Sequence, residues 1–75
     1  MKGFIEVDMI SMKLLMNVDN IESVARCDDG RAIICSNVTE SNGDIVEQIK
    51  FTAQNTYEEV KAMIEEAMMW KLLIL

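Results

Sequence analysis

The apolar residues of this chain change their spacing once, at Asn55-Thr56-Tyr57-Glu58-Glu59, and that change bounds what the chain can fold into. Before it, apolar and polar residues alternate in short runs of period two, the pattern of half-buried strands. After it, apolar residues recur at helical spacing. Thr56 and Glu59 form a capping box, in which hydroxyl and carboxylate each accept the other residue's backbone N–H; Asn55 with Glu58 offers the same arrangement one residue earlier. Glu58 and Glu59 also place negative charge in the first turn, where the helix dipole favours it. Tyr57, Val60, Ile64, Ala67 and Lys71 mark one stripe, widened by Met63, Met68, Leu72 and Leu75, while Glu58, Lys61, Glu65 and Glu66 occupy much of the remainder. The spacing predicts a helix over about 56–70 and an apolar tail over 71–75.

Upstream, Glu6 and Asp8 alternate with Ile5, Val7 and Met9, so Phe4 to Ile10 reads as a first strand. Ser11-Met12 is a weak turn into a second strand from Lys13 to Val18. Asp19-Asn20 interrupts it, because both side chains favour local turns over ladder pairing. Ile21 to Cys27 is a third strand. Asp28-Asp29-Gly30 and Ser41-Asn42-Gly43-Asp44 are hairpin signals, bounding a fourth strand from Arg31 to about Thr39 and opening a fifth from Ile45 to Thr52. With no Pro, no Gly/Ser-rich linker and no repeat, nothing divides residues 1–75. The expected fold is one α+β domain: a four- to five-stranded antiparallel β meander over about 3–54, with one C-terminal amphipathic helix packed on the sheet.

A 75-residue chain buries only about 60% of the surface that its unfolded form exposes. Small domains make up the deficit with disulfides, a metal or an oligomeric interface. Two Cys and no His supply neither a disulfide framework nor a zinc site of ordinary ligand count, so oligomerisation is the expected route. A hydrophobic fraction of 51% points the same way, since a small interior cannot absorb it. The surplus is concentrated at Met68, Met69, Trp70, Leu72, Leu73, Ile74 and Leu75, the expected interface of a homo-oligomer, with a dimer favoured. Burying four such side chains is worth roughly 6–12 kcal/mol before association entropy is charged.

Net charge is -6, and the seven basic residues are scattered, which argues against phosphate-backbone binding and hence against a nucleic-acid partner. Met1-Lys2-Gly3-Phe4-Ile5-Glu6 lacks the pattern of a signal peptide. The longest apolar stretches, Ala67 to Trp70 and Leu72 to Leu75, fall far short of the ~20 residues that a spanning helix needs. The expectation is a cytoplasmic protein with no membrane partner.

Candidate chemistry is sparse. A two-residue Asp29-Gly30 loop would pair Cys27 with Ala32 and Val24 with Cys35, placing the two thiols on opposite faces, beyond the ~4 Å Cβ separation of a disulfide. With no His or dense cationic surroundings to activate them, both Cys are expected to be structural. Asp28-Asp29-Gly30 and Glu40-Ser41-Asn42-Gly43-Asp44 lack the alternating ligands and distal Glu of a calcium loop. Glu6 with Asp8, and Glu65 with Glu66, read as solvated faces, because catalytic carboxylates need burial or a partner. Asn37-Val38-Thr39 matches a glycosylation acceptor, in a chain without a secretory signal. No catalytic, cofactor-binding or metal-ligating residue is expected, and no cofactor.

Three segments carry a family likeness: Phe4-Ile5-Glu6-Val7, then Asn17-Val18-Asp19-Asn20-Ile21-Glu22-Ser23-Val24, then Tyr57-Glu58-Glu59-Val60. Across about residues 4–66 the chain resembles small bacterial proteins of the flagellar FlbD and swarming SwrD type, and similar short proteins of bacteria and phages. It departs from them in lacking an Asn-Gly turn between the first two strands, in a longer fourth-to-fifth hairpin, and in its hydrophobic tail. The resemblance implies the strand-strand-hairpin-helix layout. Together with the composition, the expected role is a non-enzymatic, self-associating accessory or adaptor module. The alternative is a small bacterial or phage regulator that acts by binding a larger protein.

Overall fold

The computed structural model describes residues 3–74; the side chains of residues 42 and 70–74 lie outside that description. In chain order the elements are β1 (Phe4–Asp8), β2 (Lys13–Asn17), a 3-10 turn (Val18–Asn20), β3 (Ile21–Arg26), β4 (Arg31–Asn42), β5 (Ile45–Thr56) and α1 (Tyr57–Ile74). The α+β class with five antiparallel strands and a C-terminal helix is as the periodicity predicts. The strands are shared between two ladders, β1-β2 and β3-β4-β5. The break falls at the 3-10 turn, where the Asn17 side-chain oxygen accepts the Asp19 N–H at 2.9 Å and Val18 N–H donates to the Gly3 carbonyl at 2.9 Å. The chain then enters β3 in a separate sheet.

Alternation along each strand decides which face is buried. Ile5 pairs with Met16 and Val7 with Leu14, and these residues face inward. On the other sheet Ala32, Ile34 and Ser36 of β4 are buried, along with Ala53 of β5. β1 packs against both α1 and β5, and α1 also reaches β3 and β4, so the β1-β2 ribbon and the helix lie side by side over one face of the three-stranded sheet. Val60 and Ala67 supply the helix's buried positions, with Met63 and Ile64 half-buried beside them. The core is small and aliphatic.

The helix start has the reciprocal geometry that the sequence implies. Thr56 N–H donates to Glu59 Oε1 at 3.0 Å, and Glu59 N–H donates to Thr56 Oγ1 at 3.1 Å. Tyr57 N–H donates to the Gly30 carbonyl at 2.9 Å, which ties the helix to the β3-β4 turn. Asn55 and Glu58 are used elsewhere: Asn55 bonds to Asp8, and Glu58 pairs with Arg26, whose guanidinium also lies 5.0 Å from the centre of the Tyr57 ring. At the far end the Ala67 carbonyl accepts the Gly3 N–H at 3.1 Å. Helical backbone continues to Ile74 and so takes in residues 71–74 of the expected apolar tail.

Three differences from the sequence reading bear on the fold. β1 stops at Asp8 because Met9 N–H donates to the Met12 carbonyl at 2.8 Å, closing a turn over Met9–Met12. β4 and β5 run 12 residues each, longer than their alternation suggests, because paired bulges absorb the breaks in pattern. At the β4 bulge the buried Ser36 hydroxyl accepts the Val38 N–H at 3.0 Å. Beyond it, β4 and β5 extend as a two-stranded arm closed by Gly43 at φ 68°. With Gly43 at positive φ and Asp44 not, the two-residue loop is of the II′ kind.

The third difference overturns the expected thiol geometry. The β3-β4 loop has three residues: Gly30 N–H donates to the Cys27 carbonyl at 2.9 Å, and Cys27 N–H to the Arg31 carbonyl at 2.8 Å. Gly30 sits at φ 89°, the left-handed residue that such a loop requires. Cys27 therefore opposes Arg31 and Ser23 opposes Cys35, so both thiols lie on the same face of the sheet. They remain unbridged because about 13 Å of strand separates Arg31 from Cys35.

Candidate functional site

Most of the large apolar side chains that this fold leaves exposed fall in three places, with Phe4 and Leu15 exposed apart from them on β1 and β2. The first is the turn joining β1 to β2, where Ile10 is 89% and Met12 62% exposed. Two adjoining clefts begin there. One, of about 440 Å³, is lined by Ile10, Met12, Leu14 and Phe51 among others. The other, of about 230 Å³, continues from Leu14 and Phe51 to Ile49 and Val38. In a chain of which 27% is charged, no described residue lining either cleft carries a charge. The two form one apolar groove along the outer side of β2.

The second place is the β4-β5 arm, where Val38, Ile45 and Val46 are exposed. β3 pairs with β4 only as far as Ser36, so the arm carries unpaired backbone on both edges. The third place is the end of α1. Of the predicted interface residues, Met68 and Met69 are 45% and 55% exposed. Trp70, Leu72, Leu73 and Ile74 lie on helical backbone, with their side chains outside the described residues, as is all of Leu75. Met68 thus faces solvent in the single chain, on a stripe that the spacing reads as part of a broad apolar face.

Charged groups assemble little chemistry. Asp8 is held by Asn55 and lies 3.6 Å from Lys13, while Glu6, Glu65 and Glu66 are exposed. Among the described residues no cluster of three His, Cys, Asp or Glu side chains is placed to hold a metal ion. Asp29 has its carboxyl drawn below the ordinary value of 3.8, first by the Arg31 backbone N–H that donates to it and then by the Arg31 guanidinium. That pairing shapes the β3-β4 turn. Cys35 Sγ lies 3.3 Å from Gln48 Oε1 on the open sheet face, where Lys50 of β5 is the residue opposite it, while Cys27 opposes Arg31. No described helix is long and apolar enough to cross a membrane.

The sequence reading named the helix end and did not name the groove. One signal for it was present: three apolar residues, Met9, Ile10 and Met12, crowd a hairpin turn that local chemistry would fill with polar ones. No protein-family model matches the chain, and no curated protein and no solved structure is significantly similar to it.

Proposed function

We propose that this protein is a non-enzymatic interaction module that self-associates and serves as an accessory or adaptor protein. The observation that carries the reading is the imbalance of apolar surface. Nine large hydrophobic side chains are exposed among the described residues, as many as the nine hydrophobic residues that form the core. Single exposed apolar residues are ordinary, but a groove without charge and a helix end rich in Met are surfaces that proteins use for contact. The clefts hold no convergent set of titratable groups of the kind that acid–base or nucleophilic chemistry needs.

Light scattering on the intact chain between one and one hundred micromolar tests the reading. The expected result is a mass that rises to a multiple of 8.5 kDa within that range. A monomer throughout overturns self-association. The alternative role, binding to a larger protein, then takes precedence, and the unpaired edges of the β4-β5 arm are the feature that supports it, since an extended strand can add to such an edge.

A further inference from the structure

We infer that the groove beginning at Ile10 and Met12 receives the C-terminal end of α1 from a second copy of this chain, in a reciprocal two-fold dimer. The inference rests on the self-association reading and specifies the surface through which it works. Direction within the fold is the first ground. α1 runs antiparallel to β1: Tyr57 follows Asn55, which is bonded to Asp8 at the end of β1, and Ala67 is bonded to Gly3 at its beginning. From Ala67 the helix continues to Ile74, about 10 Å further in the same direction. The Ile10–Met12 turn lies at the opposite end of β1, about 17 Å back from Gly3. The helix end is carried away from the Ile10–Met12 end of its own groove, so that end can be reached only by the helix of another copy.

Chemistry supplies the second ground. The segment Met68-Met69-Trp70-Lys71-Leu72-Leu73-Ile74-Leu75 contains one charged residue, and the groove lining contains none. Leu72 and Leu73 follow Met68 and Met69 by one helical turn in sequence, the spacing with which a helix presents one apolar face to a groove. Met9, Met12 and Leu14 give the groove flexible side chains that adapt to such a face. The groove brings no charge to be desolvated.

Closure is the third ground. Each copy carries its donor, the end of α1, and its acceptor, the β1-β2 turn, at opposite ends of the paired β1 and α1. Two copies laid antiparallel make both joints at once, and the assembly closes as a dimer with no unsatisfied end.

The test uses the full chain and two double variants. Ile10→Glu/Met12→Glu alters side chains that are already exposed, so its fold should persist, as read by far-UV circular dichroism. Leu72→Glu/Leu73→Glu alters the donor. By sedimentation, each variant alone should dimerise about a hundredfold or more weakly than the unmodified chain, since a carboxylate would be buried in an apolar joint. Mixed together they should form a heterodimer with one intact joint, captured as a tagged pair of the purified variants. If the donor variant is monomeric while the groove variant dimerises normally, self-association stands and the groove assignment is overturned. Two monomeric variants that do not combine also overturn it. A monomeric unmodified chain removes both readings.

Discussion

Asn55 joins the two sheets by gripping Asp8 with both ends of its amide. Its Oδ1 accepts the Asp8 backbone N–H at 2.7 Å, and its Nδ2 donates to Asp8 Oδ2 at 3.3 Å. The residue projects from the β5 bulge, so the irregularity in that strand is what aims the side chain at β1. Replacing Asn55 with Ala leaves a half-buried N–H without its acceptor and should cost about 1–2 kcal/mol. Asn55→Asp keeps an acceptor but sets a second carboxylate against Asp8, and should also destabilise. Thermal unfolding should show a loss of several degrees in both; an unchanged melting temperature would mean that the two sheets are held without this bond.

The capping box makes a separable prediction. Thr56→Ala should cost about 1 kcal/mol, the usual effect of losing an N-cap hydroxyl. Glu59→Ala should cost less, because Thr56 N–H regains water at an exposed site. In a double-mutant cycle the two losses should fall short of additive, since each side chain completes the other's arrangement. Strict additivity would argue that the two bonds form independently.

Acid should loosen the β3-β4 turn. Because the Asp29 carboxyl titrates below its ordinary value in the folded chain, its contribution is complete above the unfolded value of 3.8 and is lost as pH falls through the depressed folded one. Asp29→Asn should therefore flatten the acid limb of a stability-against-pH curve while leaving its shape above pH 5 unchanged. The effect is small, since the pair is exposed. NMR titration of the carboxyl carbons checks it directly: Asp29 should titrate lower in the native chain than in an Arg31→Ala variant.

The thiols should remain apart. Under mild oxidation, intact-mass measurement should show no loss of two hydrogens within one chain, because Cys27 and Cys35 share a face yet sit far apart along it. An intramolecular bridge at native conditions would require β3 to slide against β4.

Gly30 is the turn position least able to accept a side chain. At φ 89° any L-residue with a Cβ is strained, although no neighbouring atom lies within 4 Å of where that carbon would stand. Gly30→Ala should cost about 1–2 kcal/mol through backbone strain alone. Denaturant unfolding should show a lowered midpoint with an unchanged slope.

What the sequence revealed was local. The Thr56–Glu59 box, the Asp19-Asn20 break and both Gly-containing hairpins depend on residues within a few positions of one another, and each stands where the pattern put it. The loop length at Asp28-Asp29-Gly30 was not legible, because Asp-Gly suits both a two- and a three-residue connection; one residue of register then inverted the assignment of faces for Cys27 and Cys35. The split into two sheets and the groove beside β2 depend on residues far apart in sequence, such as Asp8 bonded to Asn55, and Leu14 and Phe51 lining one cleft. Of the interface expected at the helix end, Met68 and Met69 are accessible in the single chain.

The arm carries its own protection against fibre formation. Glu40 and Glu47 face each other directly across β4 and β5, an arrangement that weakens the ribbon locally. Were copies of the arm to stack in register, these carboxylates would recur along the stack every ~4.8 Å, and their mutual repulsion would rise with every chain added. Exposed Ile45 and Val46 would otherwise make the ribbon a template for cross-β growth. The two glutamates act as gatekeepers, and a chain stripped of both would be expected to keep its fold and lose its shelf life.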